Sequence, residues 1–236
     1  MEKDRRGSLP LHLALVNQAS GEVVQLLLAA FPGAAREQDH EERLPLHCAH
    51  LHQASEAVVQ ALLEAYPGAA KEEDGRHLLH FAAGEQASEE VVTALLRVYP
   101  DAAQEKDQEE NLPLHRAAAH QASAGVVQAL LQAYPGAVRV KNTEGCLPLH
   151  RAVFNQASEE VVQTLLAAYP GAAQEKDGRE YLPLHLAARK QAPEEVVTAL
   201  LAAHPGAAME KDKWKFLPLH YAACHHASAA VVQALL

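Results

Sequence analysis

A chain of 236 residues could hold one or two compact domains, and 49% hydrophobic residues are ample for a core, yet aromatics make up only 5%. The interior must therefore be built from Ala, Val and Leu, which suits thin, closely stacked helices. With 30 acidic and 20 basic side chains the net charge is −10, a surface that repels phosphate backbones and argues against nucleic acid as a general partner.

From the N-terminus, Lys3-Asp4-Arg5-Arg6 followed by the apolar run Leu9 to Val16 has the outline of a signal peptide. The same run returns further along, so it belongs to the fold. No stretch reaches the roughly 18 apolar residues of a membrane span, so no membrane partner is expected. Within the run stands Leu9-Pro10-Leu11-His12. This tetrapeptide occurs six times, and a seventh copy is altered to His77-Leu78-Leu79-His80. Its histidines are His12, His47, His80, His115, His150, His185 and His220, with gaps of 35, 33, 35, 35, 35 and 35 residues. Such a period marks stacked supersecondary units, a solenoid with one long surface and no enclosed pocket. The units run 4–38, 39–73, 74–106, 107–141, 142–176 and 177–211, with a partial seventh at 212–236.

The sixth unit shows the elements. Asp177 to Tyr181 is a polar turn. Pro183 opens a short helix, its missing N–H harmless in the first turn, and Leu184, Ala187 and Ala188 form a narrow apolar stripe. Gln191-Ala192-Pro193 breaks that helix and starts the next. Elsewhere this starting position holds Ser20, Ser55, Ser88, Ser123, Ser158 or Ser228, N-caps each contributing about 0.5–2 kcal/mol. Val196, Val197, Leu200, Leu201 and His204 share one face of a longer second helix, which Pro205 and Gly206 end. His204 stands where Phe31, Tyr66, Tyr99, Tyr134 and Tyr169 stand in other units and is expected to pack likewise. The first helix repeats Ala14, Ala49, Ala82, Ala117, Ala152, Ala187 and Ala222, and the second repeats Val and Leu. Units thinner on one side should stack into an arc, concave on the side of the first helices and turns.

Pro-Leu-His-x-Ala-Ala opening a short helix, Glu-Val-Val-x-x-Leu-Leu in a second, and an Asp eight residues before the His resemble ankyrin repeats over nearly the whole chain. The resemblance implies an all-α helix–turn–helix solenoid of six full repeats and one partial, with a hairpin-like finger projecting at each turn. It also implies protein binding through fingers and first helices. Where that family has Thr before Pro-Leu-His, this chain has Leu9, Leu44, Leu112, Leu147, Leu182 or Leu217, so the family's Thr hydroxyl bond to the His ring cannot form. The finger glycine is kept at Gly7 and Gly145 and replaced by Glu42, Glu110, Glu180 and Lys215. Each unit gains one residue before the second helix and one after it. The third unit is two residues short between Asp74 and His80, which predicts a clipped finger. The Trp and Gly landmarks of tetratricopeptide units are absent. The basic groove needed by RNA-binding pentatricopeptide units does not fit an acidic chain.

Fifteen histidines invite a metal reading, but the seven motif histidines serve the unit. His47-x-x-His50-x-His52 and His220-x-x-x-Cys224-His225-His226 hold soft ligands at helical spacing. A closed zinc site needs about four ligands at roughly 2.0–2.3 Å, and His47 and His220 are committed to the fold. No metal and no cofactor are therefore expected. Cys48, Cys146 and Cys224 fall in separate repeats, too far apart to bridge; this favours a reducing, intracellular and cytoplasmic setting. Phosphate loops and nucleophile motifs are missing, and Glu-Glu pairs such as Glu159-Glu160 start second helices, where the dipole favours them. No enzyme is expected.

Three columns vary while the core columns scarcely change. After the motif His come Leu13, Cys48, Phe81, Arg116, Arg151, Leu186 and Tyr221. Five residues after it come Asn17, His52, Glu85, His120, Asn155, Lys190 and His225. Before the motif Leu lie Ser8, Arg43, Asn111, Cys146, Tyr181 and Phe216. These positions are expected to be freed from packing and to face solvent, through either drift or partner recognition. Tyr181, Trp214, Phe216 and Tyr221 bring aromatics to the last fingers and first helix, with Arg179, Arg189, Lys190, Lys213 and Lys215 around them. Aromatics beside Arg are hot-spot chemistry, so an acidic or mixed-charge protein segment is expected to dock on repeats six and seven. Earlier fingers, with Glu41, Glu42, Glu109 and Glu110, are acidic.

The candidate partner-binding residues are thus Arg43, Cys48, His52, Phe81, Glu85, Asn111, Arg116, His120, Arg151, Asn155, Tyr181, Leu186, Lys190, Trp214, Phe216 and Tyr221. The leading expectation is a non-catalytic protein-interaction module. Its alternatives are a regulatory or docking segment of a larger enzyme, such as a kinase, and a plain spacer. The ends match interior segments and lack polar capping units, so an excerpt of a longer array, self-associating at its ends, is expected.

Overall fold

The computed structural model describes residues 3–5, 7–52, 54–71, 78–85 and 87–236. Among them are fourteen α-helices, six 3-10 helices and no strand. The short first helices of successive repeats are α1 (Pro10–Val16), α3 (Pro45–Leu51), α5 (Leu78–Gly84), α7 (Pro113–Ala119), α9 (Pro148–Phe154), α11 (Pro183–Arg189) and α13 (Pro218–Cys224). The second helices are α2 (Gly21–Ala30), α4 (Glu56–Ala65), α6 (Glu89–Val98), α8 (Ala124–Ala133), α10 (Glu159–Ala168), α12 (Glu194–Ala203) and α14 (Ala229–Leu235). The clipped finger expected before α5 lies outside the described residues.

The motif Leu has extended backbone, with φ from −71° at Leu44 to −85° at Leu217, and the Pro after it begins the helix. Its N–H then points into the first turn, where the motif His receives it. Nδ1 accepts from Leu9, Leu112, Leu147, Leu182 and Leu217 at 2.9–3.2 Å and from Leu44 at 3.3 Å. The main chain thus supplies the donor, and no Thr hydroxyl is needed. The Leu side chain is free to enter the core, and Leu44 and Leu182 are wholly buried.

The other ring nitrogen reaches forward along the chain, in four repeats to the finger of the next repeat. Nε2 of His12, His80, His115 and His185 donates to the carbonyls of Arg43, Asn111, Cys146 and Phe216 at 2.8–3.2 Å, and Nε2 of His150 donates to that of Glu175 at 3.0 Å. Where Nδ1 must accept and Nε2 must donate, the ring is held as the neutral Nε2–H tautomer.

The first helix ends on a residue in the left-handed region: Gln18, Gln121, Gln156, Gln191 and His226 have φ of 54–59°. In repeat one the Ala19 N–H bonds the Ala14 carbonyl at 2.8 Å and the Gln18 N–H bonds that of Leu15 at 3.1 Å, a two-bond C-cap. The extra residue before each second helix is this turn. Gln18 and Gln156 also use their side-chain amides, donating to the carbonyls of His52 (3.3 Å) and Lys190 (2.6 Å) one repeat on.

Ser88, Ser123, Ser158 and Ser228 cap their helices by accepting from the third helical N–H, whereas Ser20 and Ser55 make no such bond. After the second helix Pro starts a 3-10 helix in six repeats, such as Pro32–Arg36 and Pro205–Met209. A proline with fixed φ favours this tighter turn. His204 occupies the aromatic column as expected. Its Nε2 meets Glu210 Oε1 at 2.8 Å, just as the Tyr99 hydroxyl meets Glu105.

Helices stack in two rows, second on second throughout and first on first for α1 with α3 and from α5 to α13, where the first helices make the closer backbone approaches although they are shorter. Alanine permits this: Ala49, Ala82, Ala117, Ala152 and Ala187 have no exposure at all. The core is one continuous cluster from Leu9 to Leu235.

Glu42, Glu110, Glu180 and Lys215 hold φ of 56–65°, against 68° and 70° at Gly7 and Gly145. The finger conformation is thus retained without glycine, at a cost of about 1–2 kcal/mol per residue. Glu180→Gly should stabilise the chain by up to about 1 kcal/mol, glycine's unfolded-state entropy offsetting the rest, read as a higher urea midpoint.

Burial pushes the rings of His115 and His150 down to about 4 and also lowers those of His12 and His185, despite their carbonyl partners. The unfolded chain takes up protons near pH 6.5 that the fold refuses, so stability is complete above that pH and falls as pH drops toward 4. Stability should decline between pH 6.5 and 4.5 by about 2 kcal/mol for each of His115 and His150, read as a falling melting temperature. His150→Asn should lower it at pH 7 and shallow its slope.

Candidate recognition surface

The fingers of repeats two, four, five, six and seven are each organised by their first acidic or amide residue. Asp39, Asp107, Asn142, Asp177 and Asp212 each use Oδ1 to accept from the N–H groups two and four residues on, at 2.8–3.1 Å. Two main-chain bonds close the same turn, as in Asp177 N–H to Tyr181 C=O at 3.0 Å and Glu180 N–H to Asp177 C=O at 2.9 Å. The fingers are therefore hairpin-like turns. Neighbouring fingers are tied where Thr143 N–H donates to the Glu109 carbonyl (3.1 Å) and Gly178 N–H to that of Glu144 (2.9 Å). A Cβ at Gly178 would stand 2.6 Å from that oxygen, so only glycine fits.

The second carboxylate oxygen binds side chains. Asp39 Oδ2 accepts from Arg43 Nε and Nη2 at 3.0 and 2.7 Å, and Asp107 Oδ2 from Arg116 Nε and Nη2 at 2.8 and 2.6 Å. Asp212 Oδ2 takes the Tyr221 hydroxyl at 2.6 Å. Burial opposes charge on all three aspartates, yet these bonds and the finger amides hold their carboxyls below the ordinary range. Burial and the Asp212 carboxylate push the Tyr221 phenol well up.

Six residues expected to face solvent do not, Ser8 and Cys146 (8% exposed each) and four of the candidate partner-binding residues. Cys48 (1% exposed), Asn111 (1%), Tyr181 (5%) and Leu186 (3%) are buried. Their columns lie where one repeat's finger and first helix meet the next, so the neighbouring unit covers them. Asn111 Oδ1 accepts from Asn142 Nδ2 at 2.8 Å. Cys48, Tyr181 and Leu186 pack within the core, and burial raises the Cys48 thiol to about 11. Variation in these columns is packing adjusted unit by unit.

The remaining candidates reach solvent to different degrees. Arg43, His52, Phe81, Arg116, Arg151, Asn155, Lys190 and Tyr221 are half-buried, and Glu85, His120, Trp214 and Phe216 are exposed. Arg43 and Arg116 already hold carboxylates. Phe81 meets the edge of His50 at 5.0 Å, and Asn155 Nδ2 donates to the Arg151 carbonyl at 2.9 Å.

The aromatics of the last two repeats come together. Tyr181 lies 5.4 Å from Trp214 and 5.7 Å from Tyr221, and Phe216 lies 5.7 Å from Tyr221 and 5.5 Å from His220. Tyr181 is the buried base of this face, while Trp214 and Phe216 stay 49% and 45% exposed. Lys213 Nζ sits 4.2 Å above the Trp214 ring and Arg189 lies over Tyr181 at 5.8 Å. One platform was missed in the sequence: Phe154, 37% exposed, carries Lys190 Nζ at 3.9 Å. It follows two residues of core, and only its aromatic ring, where the other repeats have Val16, Leu51, Gly84, Ala119, Arg189 and Cys224, signals it.

Among the described residues no group of three or more His, Cys, Asp or Glu could hold a metal ion. No described helix is long and apolar enough to cross a membrane. Cys48, Cys146 and Cys224 are unpaired thiols. A family model described as ankyrin repeats, three copies, matches residues 11–105, 79–177 and 149–236. No curated protein matches the chain.

Asp212→Ala deprives two backbone amides and the Tyr221 phenol of their acceptor at once. A loss of about 2–3 kcal/mol is expected in chemical denaturation. The emission of Trp214, the single tryptophan, should shift as its finger loosens.

Proposed function

The chain belongs to the ankyrin repeat family, whose repeats are protein–protein interaction modules, and on that premise we propose that it is a non-catalytic binding protein presenting a concave face of fingers and first helices. The observation that carries this reading is the aromatic face of repeats six and seven. Trp214 and Phe216 are large, half-exposed and braced by Tyr181 and Tyr221. Folding alone would bury such rings. Rigid aromatics with a polar rim supply contact area at little entropic cost, the composition of binding hot spots.

Lys213 and Lys215 are exposed beside them, in a protein whose net charge is −10. The partner that fits is an acidic or mixed-charge protein segment with apolar side chains for the aromatic face. Nucleic acid is disfavoured by the same overall charge. The unpaired thiols accord with a reducing, intracellular setting.

The test is chemical cross-linking and affinity capture with the intact chain, followed by titration of the identified partner against Trp214→Ala/Phe216→Ala. A loss of at least about 30-fold is expected, roughly 2 kcal/mol per hot-spot ring being the threshold, with the thermal melt unchanged. Unchanged affinity would place recognition elsewhere.

A further inference from the structure

Arg116 and Arg151 occupy the same position in α7 and α9, one residue after the motif His, yet their surroundings differ by one functional group. In repeat four Asp107 offers Arg116 a carboxylate oxygen, met by Nε at 2.8 Å and Nη2 at 2.6 Å. In repeat five the finger residue is Asn142. Its Oδ1 serves the finger amides of Glu144 and Cys146, and its Nδ2 donates to Asn111. Arg151 therefore lacks the acceptor that its counterpart has. Nη1 finds Glu144 Oε2 at 3.1 Å, but Nε is buried without a hydrogen-bond partner. A guanidinium has five N–H donors and no other use for them.

Around Arg151 the surface departs from the charge of the whole. A cleft of about 120 Å³ opens between the fingers and first helices of repeats five and six, lined by Arg151, Arg179 and Arg189, with Glu144 and Asp177 as its carboxylates. Glu144 is engaged with Arg151, and Asp177 Oδ1 serves the amides of Arg179 and Tyr181. Among the described residues, Arg179 and Arg189 make no ion pair. Arg43 and Arg116, on the same face in repeats two and four, are neutralised by Asp39 with Glu41 and by Asp107 with Glu109. The cleft is rigid below, where Cys146, His150 and Leu186 are buried, and apolar at its rim, where Phe154 is exposed.

We propose that the cleft between repeats five and six is a carboxylate-binding site that takes a glutamate or aspartate side chain from the docked partner segment, Arg151 receiving the in-trans equivalent of Asp107. The site rests on the protein-binding reading and adds its charge specificity. The acidic side chain enters beside Phe154, exchanges with Glu144 on Arg151 and is flanked by Arg179 and Arg189. Apolar residues next to it in the partner cover Phe154 and continue toward Trp214. Charge-assisted, forked guanidinium–carboxylate contacts are stronger than neutral ones and orient the ligand. An isosteric amide cannot replace them.

The probe is the acetylated and amidated peptide Leu-Leu-Glu-Leu, compared with its glutamine and phosphoserine counterparts. Binding is followed at the Arg151 Nε–H resonance of the full ¹⁵N-labelled chain. The glutamate peptide should move that resonance and bind about tenfold or more tightly than the glutamine peptide. Asn142→Asp, which supplies the missing carboxylate within the finger, should remove the difference. Arg151→Lys, which keeps the charge but loses the fork, should weaken binding about tenfold while the thermal melt shows both variants folded. Equal responses to glutamate and glutamine, no response to either at millimolar concentration, or wild-type binding by Arg151→Lys would overturn the site. Tight binding of the phosphoserine peptide with silence toward glutamate would overturn it in favour of a phosphate site. A captured partner that depends on Trp214 and Phe216 but not on Arg151 would leave the binding function standing and remove only this site.

Discussion

Everything in this array hangs on a neutral imidazole used twice. The motif His accepts the N–H that opens its own helix and donates to a carbonyl of a following segment, most often the base of the next finger. One ring thereby sets the start of a helix, the tautomer, and the spacing and orientation of neighbouring repeats. Because the contact involves main-chain atoms at both ends, side chains at those points can change freely. Arg43, Asn111, Cys146 and Phe216 all supply the accepting carbonyl. The array is thus a frame whose staple is indifferent to the residue it grips, which is why so uniform a scaffold can carry such different surfaces.

Much of this was readable in the residues. The register of the motif His located every first helix, proline marked the start of six of them, and alanine against Val and Leu separated the two rows. What escaped had a common cause: periodicity reports where a position recurs but not what covers it. Cys48, Asn111, Tyr181 and Leu186 vary between units and looked free, yet each is buried, Asn111 and Tyr181 against residues of the unit that follows. Likewise Gln at the reversal carries no composition signal for a left-handed turn, because glycine or asparagine is the usual choice there. Its fitness lies in the side chain, which in Gln18 and Gln156 spans to the next repeat. Leu in place of Thr became explicable only with the hydrogen-bond partners of the ring in view.

The two halves of the recognition face differ in how their charges are spent. In repeats two and four, arginines turn back onto finger aspartates and glutamates, so those fingers are internally neutral pairs edged by surplus acid. Such pairs add little to stability at an exposed surface, and they leave nothing for a partner. On the fingers and first helices of repeats six and seven, three cations rest on rings instead: Arg189 on Tyr181, Lys190 on Phe154, Lys213 on Trp214. A ring face satisfies a cation far less completely than a carboxylate does. Those charges therefore remain available to an incoming anion, while the rings offer it an apolar bed.

Asp107 and Asn142 show how small the change is that converts scaffold into site. Both residues organise a finger through the same oxygen, accepting from the amides two and four positions on. That shared duty explains why the exchange leaves the fold intact: the backbone needs one acceptor oxygen, and aspartate and asparagine both have it. They differ only at the second atom, acceptor in one and donor in the other. In repeat four that atom closes a pair with Arg116; in repeat five it turns to Asn111 and leaves Arg151 with a donor unused. A finger that keeps its acceptor and changes only the neighbouring atom can thus release an arginine from the scaffold without disturbing the stack. In a repeat protein, where each unit is a near copy of the last, that single-atom difference is enough to give one junction a chemistry the others lack.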